Sequence, residues 1–90
     1  MNPQDLKSYK IRHDRPNCIG CNACASIAPT FWEMSPMDGR SDVIGSSKTE
    51  EGWEELEISE ADFETNMNCA EACPVNVIHL IKIGSGEQVI

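Results

Sequence analysis

The cysteine pattern constrains this sequence more than any other feature. Three thiols stand three residues apart in the stretch Cys18-Ile19-Gly20-Cys21-Asn22-Ala23-Cys24, and a fourth, Cys73, comes far downstream and directly before Pro74. Thiolates are soft ligands that suit zinc and iron–sulfur centres. The pattern therefore indicates a metal site whose ligands come from both ends of the chain, with the remaining residues folded around it.

The number of cysteines also favours a metal over disulfides. The chain has 90 residues and five cysteines. A domain of this size has a small core and often needs a metal or a cross-link for stability, but an odd count does not fit a fully paired disulfide framework. The odd count does fit a site with four ligands and one remaining cysteine. We expect one domain over residues 1–90, with loose tails at 1–8 and 84–90.

The spacing matches the way that proteins hold iron and sulfide. Iron–sulfur clusters are bound by thiolates, and one bacterial ligand run has the spacing C-x2-C-x2-C-x3-C-P. A C-x2-C-x2-C loop can wrap one corner of a cubane cluster, and the small residues Gly20 and Ala23 let backbone N–H groups point at the cluster sulfurs. The sequence therefore predicts one cubane cluster with the ligands Cys18, Cys21, Cys24 and Cys73.

A second cluster is excluded by the same spacing. In proteins with two clusters, the fourth cysteine of each run ligates the other cluster. The first run here ends in Ala28 instead of cysteine, and the second run has Phe63 and Asn66 at its first two positions. Cys73 is present and completes the first cluster. Only Cys69 remains for the second, so a second cluster cannot form.

Two stretches of this sequence, CIGCNACASIAP and CAEACPVNVI, resemble the motifs of bacterial-type, low-potential ferredoxins of the single-cluster 4Fe-4S kind. In the first stretch Ala28-Pro29 replaces the family's fourth Cys-Pro, and the aromatic pair Phe31-Trp32 follows. The resemblance covers most of residues 8–83 and is weak over 36–58, a segment that is long for the family. It implies a soluble one-electron carrier that serves oxidoreductases. Since Cys21 is not replaced by Asp, it also implies a full 4Fe-4S cluster.

Two strands and two helices follow from local patterns. Alternating residues predict strands over 9–13 and 77–83. A short helix is expected over 23–28, because Pro29 forces the preceding residue out of helical geometry. A second helix is expected over about 60–71, where apolar residues repeat at helical spacing after a capping pair.

The expected fold class is α+β. Each half of the chain runs approximately from a strand through a cysteine-bearing turn or helix to another strand. Together with the resemblance, this predicts a small bacterial-ferredoxin fold with pseudo-twofold βαβ-like halves around one cluster. The N-terminal strand is expected to pair with the C-terminal strand. Residues 43–44 and 53–58 are expected to form a hairpin.

Several residues near the motifs have a simpler explanation than cofactor chemistry. His13 is expected to be a partly exposed residue at the end of a strand, because four thiols already complete a site. Phe31, Trp32 and Met34 are expected to pack in the core, with shielding of the cluster or electron transfer through Trp32 as the alternatives. Cys69 is expected to be a buried, inert residue; ligand exchange after cluster damage and an intermolecular disulfide are the alternatives.

The chain is acidic, with 15 Asp and Glu against 7 Lys and Arg. Nucleic acids and anionic membranes bind clustered Lys and Arg, so neither is expected as a partner. Eight acidic residues and no basic one lie between Glu50 and Glu64. This stretch is either a solvated face that keeps the protein monomeric or a docking surface for redox enzymes, a reductase and an acceptor oxidoreductase, with a basic face.

No targeting or membrane segment is expected. The stretch MNPQDLKSYKIRHDRPN lacks the apolar region of a signal peptide, and no apolar run approaches the roughly 18 residues of a membrane span. We expect a cytoplasmic protein, since thiols stay reduced there.

The sequence favours an electron carrier over an enzyme, because it has no nucleophile–base set and no Gly-rich phosphate loop. Two alternatives remain. The chain could be an iron–sulfur sensor or the electron-transfer subunit of a larger oxidoreductase. It could also be a structural zinc module, since zinc binds four thiolates, but zinc sites usually pair two Cys-x2–4-Cys arms, whereas here one arm is a triple and the other a single cysteine.

Overall fold

The structure, a computed structural model, describes residues 7–90. It contains six strands and two α-helices. The strands are β1 (Lys7–His13), β2 (Trp32–Met34), β3 (Ser41–Val43), β4 (Ser47–Lys48), β5 (Glu54–Ser59) and β6 (Ile78–Lys82). The helices are α1 (Ala23–Ile27) and α2 (Phe63–Ala72), and short 3-10 turns lie at Arg15–Asn17 and Glu60–Asp62. Most of the loose N-terminal tail predicted for 1–8 lies outside the described residues.

The main sheet has the strand order β4-β5-β1-β6, and all of its neighbouring strands are antiparallel. The predicted pairing of the N-terminal with the C-terminal strand is confirmed, since Ile11 lies opposite Leu80. On its other side β1 pairs with β5, where Ile11 lies opposite Leu56. β1 is therefore a central strand, and Ile11 and Leu80 are both fully buried.

The predicted hairpin between 43–44 and 53–58 is wrong in its pairing. β3 pairs with β2, with Val43 opposite Trp32, and β5 pairs with β4. Both Val43 and Trp32 are buried, so pairing these two strands buries their apolar side chains together. The turn between β4 and β5 is closed by Gly52, which has a φ of 87° that suits glycine.

Helix α2 presents the predicted apolar face to the core. Ala70 is buried, and Phe63 and Met67 pack against the core. The α-helix begins at Phe63, later than expected, because a 3-10 turn comes first. The Ser59 hydroxyl donates to the Asp62 carboxylate at 3.1 Å and makes no hydrogen bond to a helical N–H.

The core lies between the sheet and the helices, which contact each other. Its largest fully buried side chains are those of Trp32, Ile11, Ile58 and Leu80. The prediction that Trp32 packs in the core is therefore confirmed. No helix in residues 7–90 is long and apolar enough to cross a membrane.

The four positions that a second cluster would use belong to a closed core. Ala28 and Cys69 are buried. Phe63 stacks on the ring of Tyr9 with 4.2 Å between ring centroids. Asn66 is fully buried, and its Oδ1 accepts a hydrogen bond from the indole N–H of Trp32 at 3.0 Å. Packed side chains therefore occupy this part of the fold.

The C-terminal segment folds back on β6. The backbone N–H of Lys82 donates to the carbonyl of Glu87 at 2.7 Å, and that of Val89 donates to the carbonyl of Leu80 at 2.8 Å. This differs from the loose tail predicted for 84–90. The contacts cover part of the outer edge of β6, which would otherwise expose unpaired backbone groups.

Candidate metal centre

One concave pocket brings the four predicted ligands together. Cysteines from the N-terminal loop and from the end of α2 face the same space, and none of the chain's five cysteines forms a disulfide. The pocket wall also has an apolar part. Its lining includes Cys18, Cys21, Cys24, Cys73, Ile19, Val75, Val77 and Ile78.

Two residues in left-handed conformation curl the cysteine loop. Gly20 has a φ of 75° and Asn22 a φ of 70°, and helix α1 begins directly afterwards at Ala23. Gly20 also lies against the next layer of the structure, because a Cβ atom there would clash with the carbonyl oxygen of Gly39. A side chain at position 20 would therefore strain the backbone and also push the loop away from Gly39.

Helix α2 delivers the fourth thiol. Cys73 follows the last helical residue in extended conformation, and Pro74 prevents the helix from continuing. The carbonyl of Cys73 accepts a hydrogen bond from the N–H of Asn76 at 3.3 Å, which closes the turn toward β6. Cys73 thus comes to the pocket from the C-terminal part of the chain, whereas the other three thiols come from the N-terminal loop.

The four thiols differ in exposure. Cys24 and Cys73 are buried, Cys18 is partly buried, and Cys21 is exposed. Ile19 and Val75 stand beside the pocket and are 61% and 40% exposed. The Cys21 side of the pocket is therefore the part closest to solvent and to any docking protein.

The surroundings of Cys18 favour its thiolate form. Burial raises the pKa of the Cys18 thiol, but hydrogen bonds from the side chain and backbone of Ser41 and from the backbone of Gly20 outweigh it and lower the pKa to about 7. Burial raises the pKa of Cys24. Because the thiolate is the form that binds metal, Cys18 is ready to bind at a lower pH than Cys24.

A chain of buried polar side chains leads from Cys18 into the core. The Ser41 hydroxyl oxygen lies 3.4 Å from Cys18 Sγ and 3.4 Å from His13 Nε2. On the other side of the ring, His13 Nδ1 lies 2.8 Å from Glu54 Oε1. The same carboxylate oxygen accepts the N–H of Val43 at 3.0 Å. All three residues are buried, with exposures of 1% for Ser41, 0% for His13 and 3% for Glu54.

The prediction of a partly exposed His13 is wrong. β1 is a central strand, so the end of that strand is covered, and the register of β1 with β5 places His13 opposite Glu54. The ring also packs edge-on against the Trp32 indole, with 4.9 Å between centroids. Sequence reasoning missed Ser41 and Glu54 altogether, because both reach the site only through strand pairing with distant residues.

Ion pairs connect the segment directly before the cysteine loop with the loop after β2 and with β3. Arg15 holds Asp38 with two hydrogen bonds, at 2.8 and 3.1 Å, and its Nε binds Asp42. The hydrogen bond from Arg15 lowers the pKa of Asp38 to about 2. Burial raises the pKa of Asp42, but the bond to Arg15 outweighs burial and lowers it. Segment 36–58, which carries no motif, thus supplies several contacts around the site.

Cys69 is separate from the pocket. It is fully buried on α2, as predicted, and its thiol donates to the carbonyl oxygen of Cys24 across 3.6 Å. Burial, with a smaller effect of Cys24, raises its pKa to about 12. A thiol that holds its proton this firmly is a poor nucleophile and a poor metal ligand.

The donor set fits an iron–sulfur cluster. In residues 7–90, no three His, Cys, Asp or Glu side chains converge closely enough to hold a single metal ion. A tetrahedral zinc site needs four donors around one atom, with zinc–sulfur distances near 2.3 Å. Thiolates of a cubane cluster surround a larger core and have no need to converge on one point. Four unpaired thiols around a partly apolar pocket meet that requirement.

The fold and the thiol-lined pocket are those of a small iron–sulfur protein. Residues 11–80 match the family model described as "4Fe-4S single cluster domain", and the chain belongs to this family. Its cofactor is accordingly one 4Fe-4S cluster, and its role is electron transfer rather than catalysis.

Ferredoxins of two Thermococcus species are among its relatives. The chain is 33% identical over 69 residues to a ferredoxin of Thermococcus litoralis, covering 77% of this chain and 93% of the relative. It is 30% identical over 73 residues to a ferredoxin of Thermococcus kodakarensis, covering 81% and 94%.

A solved structure supports the fold. Wild-type Hydrogenobacter thermophilus ferredoxin 1 superposes with a TM-score of 0.65 over 84% of this chain and 100% of that one, at 18% identity. At this identity the likeness concerns the fold alone, and it agrees with the mixed helix and sheet content described above.

Proposed function

We propose that Cys18, Cys21, Cys24 and Cys73 are the four ligands of the cluster. The observation that carries the proposal is the shared pocket: these four thiols line it, whereas Cys69 is buried elsewhere and bonded to a backbone carbonyl. When bound, the cluster supplies a centre that takes up and releases one electron. The remaining cysteine has a structural place on α2 and no part in ligation.

The protein surroundings adapt the pocket to an anionic cluster. Ser41 and the backbone of Gly20 offer hydrogen bonds to the Cys18 sulfur, and such donors stabilise negative charge on a metal centre. Val77 and Ile78, both buried, keep water from the inner wall. The exposed Cys21 gives partners a short path to the centre.

The proposed partners are a reductase and an acceptor oxidoreductase with a basic docking face. The net charge of −8 supports this, because opposite charge steers weak encounters. The acidic stretch is not one continuous surface, however. Glu54 is buried and Glu55 pairs with Arg12 at 2.8 Å. The exposed carboxylates of this stretch are those of Glu50, Glu51, Glu57, Glu60 and Glu64.

We further propose one domain over residues 1–90, acting as a monomer in the cytoplasm. The pseudo-twofold arrangement belongs to the same proposal. It is supported by the strand pairing, since β1, α1 and β2 in one half correspond to β3, α2 and β6 in the other, and β1 pairs with β6 as β2 pairs with β3. The contact between α1 and α2 is in keeping with two halves that meet at the centre.

The ligand set is tested by comparing Cys73→Ser with Cys69→Ser, both purified without oxygen. The first variant should lose most of its iron and sulfide, because ligand loss and folding are coupled at such sites. The second should keep the wild-type content. Cluster loss in Cys69→Ser together with retention in Cys73→Ser would contradict the assignment.

A further inference from the structure

Ser41 places a buried hydroxyl against a proposed cluster ligand. The residue begins β3 and is 1% exposed, and its oxygen lies 3.4 Å from Cys18 Sγ. It comes from segment 36–58, which has no motif of its own. Unlike a backbone N–H, this donor can be removed by substitution, so its effect on the centre can be measured.

The hydroxyl is held by a network that spans distant parts of the chain. His13 Nε2 lies 3.4 Å from Ser41 Oγ, and Glu54 fixes the other ring nitrogen at 2.8 Å. Glu54 is itself fixed by the N–H of Val43 at 3.0 Å and the hydroxyl of Ser46 at 3.4 Å. Packing alone could fill this space with apolar residues. The polar chain therefore points to a role at its end, which is Cys18.

The hydrogen balance of the network gives the direction of the Ser41 hydroxyl. A hydroxyl has one hydrogen to donate and can also accept. A thiolate bound to iron can only accept, whereas each ring nitrogen of His13 donates or accepts according to its tautomer. The ionised Glu54 carboxylate only accepts, so His13 Nδ1 donates to Glu54 Oε1. Both contacts of Ser41 are satisfied at the same time when His13 also carries an N–H at Nε2 and donates it to Ser41 Oγ, while the hydroxyl donates to Cys18.

We propose that the Ser41 hydroxyl, positioned by His13 and Glu54, donates a hydrogen bond to the Cys18 thiolate and raises the reduction potential of the cluster. This rests on the proposed ligand set. A donor at the sulfur withdraws negative charge, and it stabilises the reduced centre more than the oxidised one because the reduced centre carries more negative charge. Ser41 is thus a positioning residue that tunes electron transfer.

The test is the reduction potential of the loaded protein, measured by redox titration without oxygen. Ser41→Ala should shift the potential to a more negative value at unchanged iron and sulfide content. Ser47→Ala is the matched control, because Ser47 is exposed on β4 and lies outside both the network and the pocket lining. Its potential should equal that of the wild type.

A second pair separates the hydrogen bond from packing. Ser41→Thr keeps a hydroxyl and should retain the wild-type potential, while Ser41→Val has the same shape without it and should shift with Ser41→Ala. A loaded Ser41→Ala or Ser41→Val protein with the wild-type potential would overturn the inference. Failure of Ala and Val variants alike to assemble a cluster would replace the tuning role by a structural one.

The role of Ser41 can fail its test while the proposed function stands. Iron, sulfide and reversible reduction are measured first on the wild type. A wild type without iron and sulfide contradicts the proposed function, and this inference with it. A loaded wild type whose potential is matched by loaded Ser41 variants contradicts the role of Ser41 alone.

Discussion

His13 and Glu54 lie 41 residues apart in the chain and meet as buried partners, with 2.8 Å between Nδ1 and Oε1. The contact joins two neighbouring strands, β1 and β5, through side chains as well as backbone. It also fixes the imidazole whose other nitrogen faces Ser41. One buried pair therefore connects the stability of the sheet with the surroundings of the metal centre.

Removing this carboxylate should destabilise the protein strongly. Glu54→Ala leaves His13 Nδ1 and the N–H of Val43 without their partner, and breaking a buried pair of this kind costs about 3–5 kcal/mol. The measurement is the denaturant concentration at which cluster absorbance is lost. Glu57→Ala on the same strand is the control, since Glu57 is exposed and its loss should change stability by less than about 0.5 kcal/mol. Equal midpoints for the two variants would refute the prediction.

A side chain at position 20 should impair cluster assembly. Gly20→Ala forces alanine into a left-handed conformation, which costs about 1–2 kcal/mol, and drives its Cβ into the Gly39 carbonyl. Gly45→Ala is a matched control, because Gly45 has a similar φ of 78° with no atom within 4 Å of the added Cβ. Iron bound per chain after reconstitution should fall for Gly20→Ala well below the value for Gly45→Ala. Similar values would mean that the contact with Gly39 has no effect.

The Arg15 ion pair should slow cluster loss in a pH-dependent way. Arg15→Gln should release iron to a chelator faster than wild type at pH 7. The pair lowers the pKa of Asp38 from 3.8 to about 2. A lowered carboxyl pKa stabilises the folded state above the ordinary value, and this contribution is lost as the pH falls toward 2.

The difference between Arg15→Gln and wild type should therefore narrow between about pH 4 and pH 2. Arg40→Gln controls for the lost charge, because Arg40 donates to Asp38 through its backbone N–H, which the substitution keeps. Its iron release at pH 7 should stay near the wild-type rate. If the two variants released iron equally fast, the hydrogen bonds of Arg15 would not be the cause.

Electron transfer to a basic partner should depend steeply on salt. Added salt screens exposed charges beyond about 8–10 Å, so the second-order rate should fall as ionic strength rises. Transfer to a small uncharged oxidant is the control and should stay nearly constant. Changing the exposed carboxylates to glutamine one at a time should locate the docking surface by the largest loss of rate. A flat salt response with the protein partner would remove the steering role of the acidic residues.

Features of the fold and of the site that depend on local patterns could be predicted from the sequence. The C-x2-C-x2-C run and the Cys73-Pro74 step are each local motifs, so the sequence predicted a ligand set of four cysteines, and all four line one pocket. The alternation of β1 and β6 and the apolar face of α2 were readable for the same reason. The role of His13 was not, because it depends on the register of two strands whose pairing no local pattern specifies. The burial of Glu54 could not be predicted either, since its sequence context is the same as that of the exposed carboxylates in the acidic stretch.

The most direct test of the central claim is the iron and acid-labile sulfide content of wild-type protein purified without oxygen, followed by electron paramagnetic resonance after dithionite reduction. A single 4Fe-4S carrier should hold close to four iron and four sulfide per chain and give a spin one-half signal when reduced. One zinc per chain without sulfide would contradict the claim and make the cysteines a structural metal site.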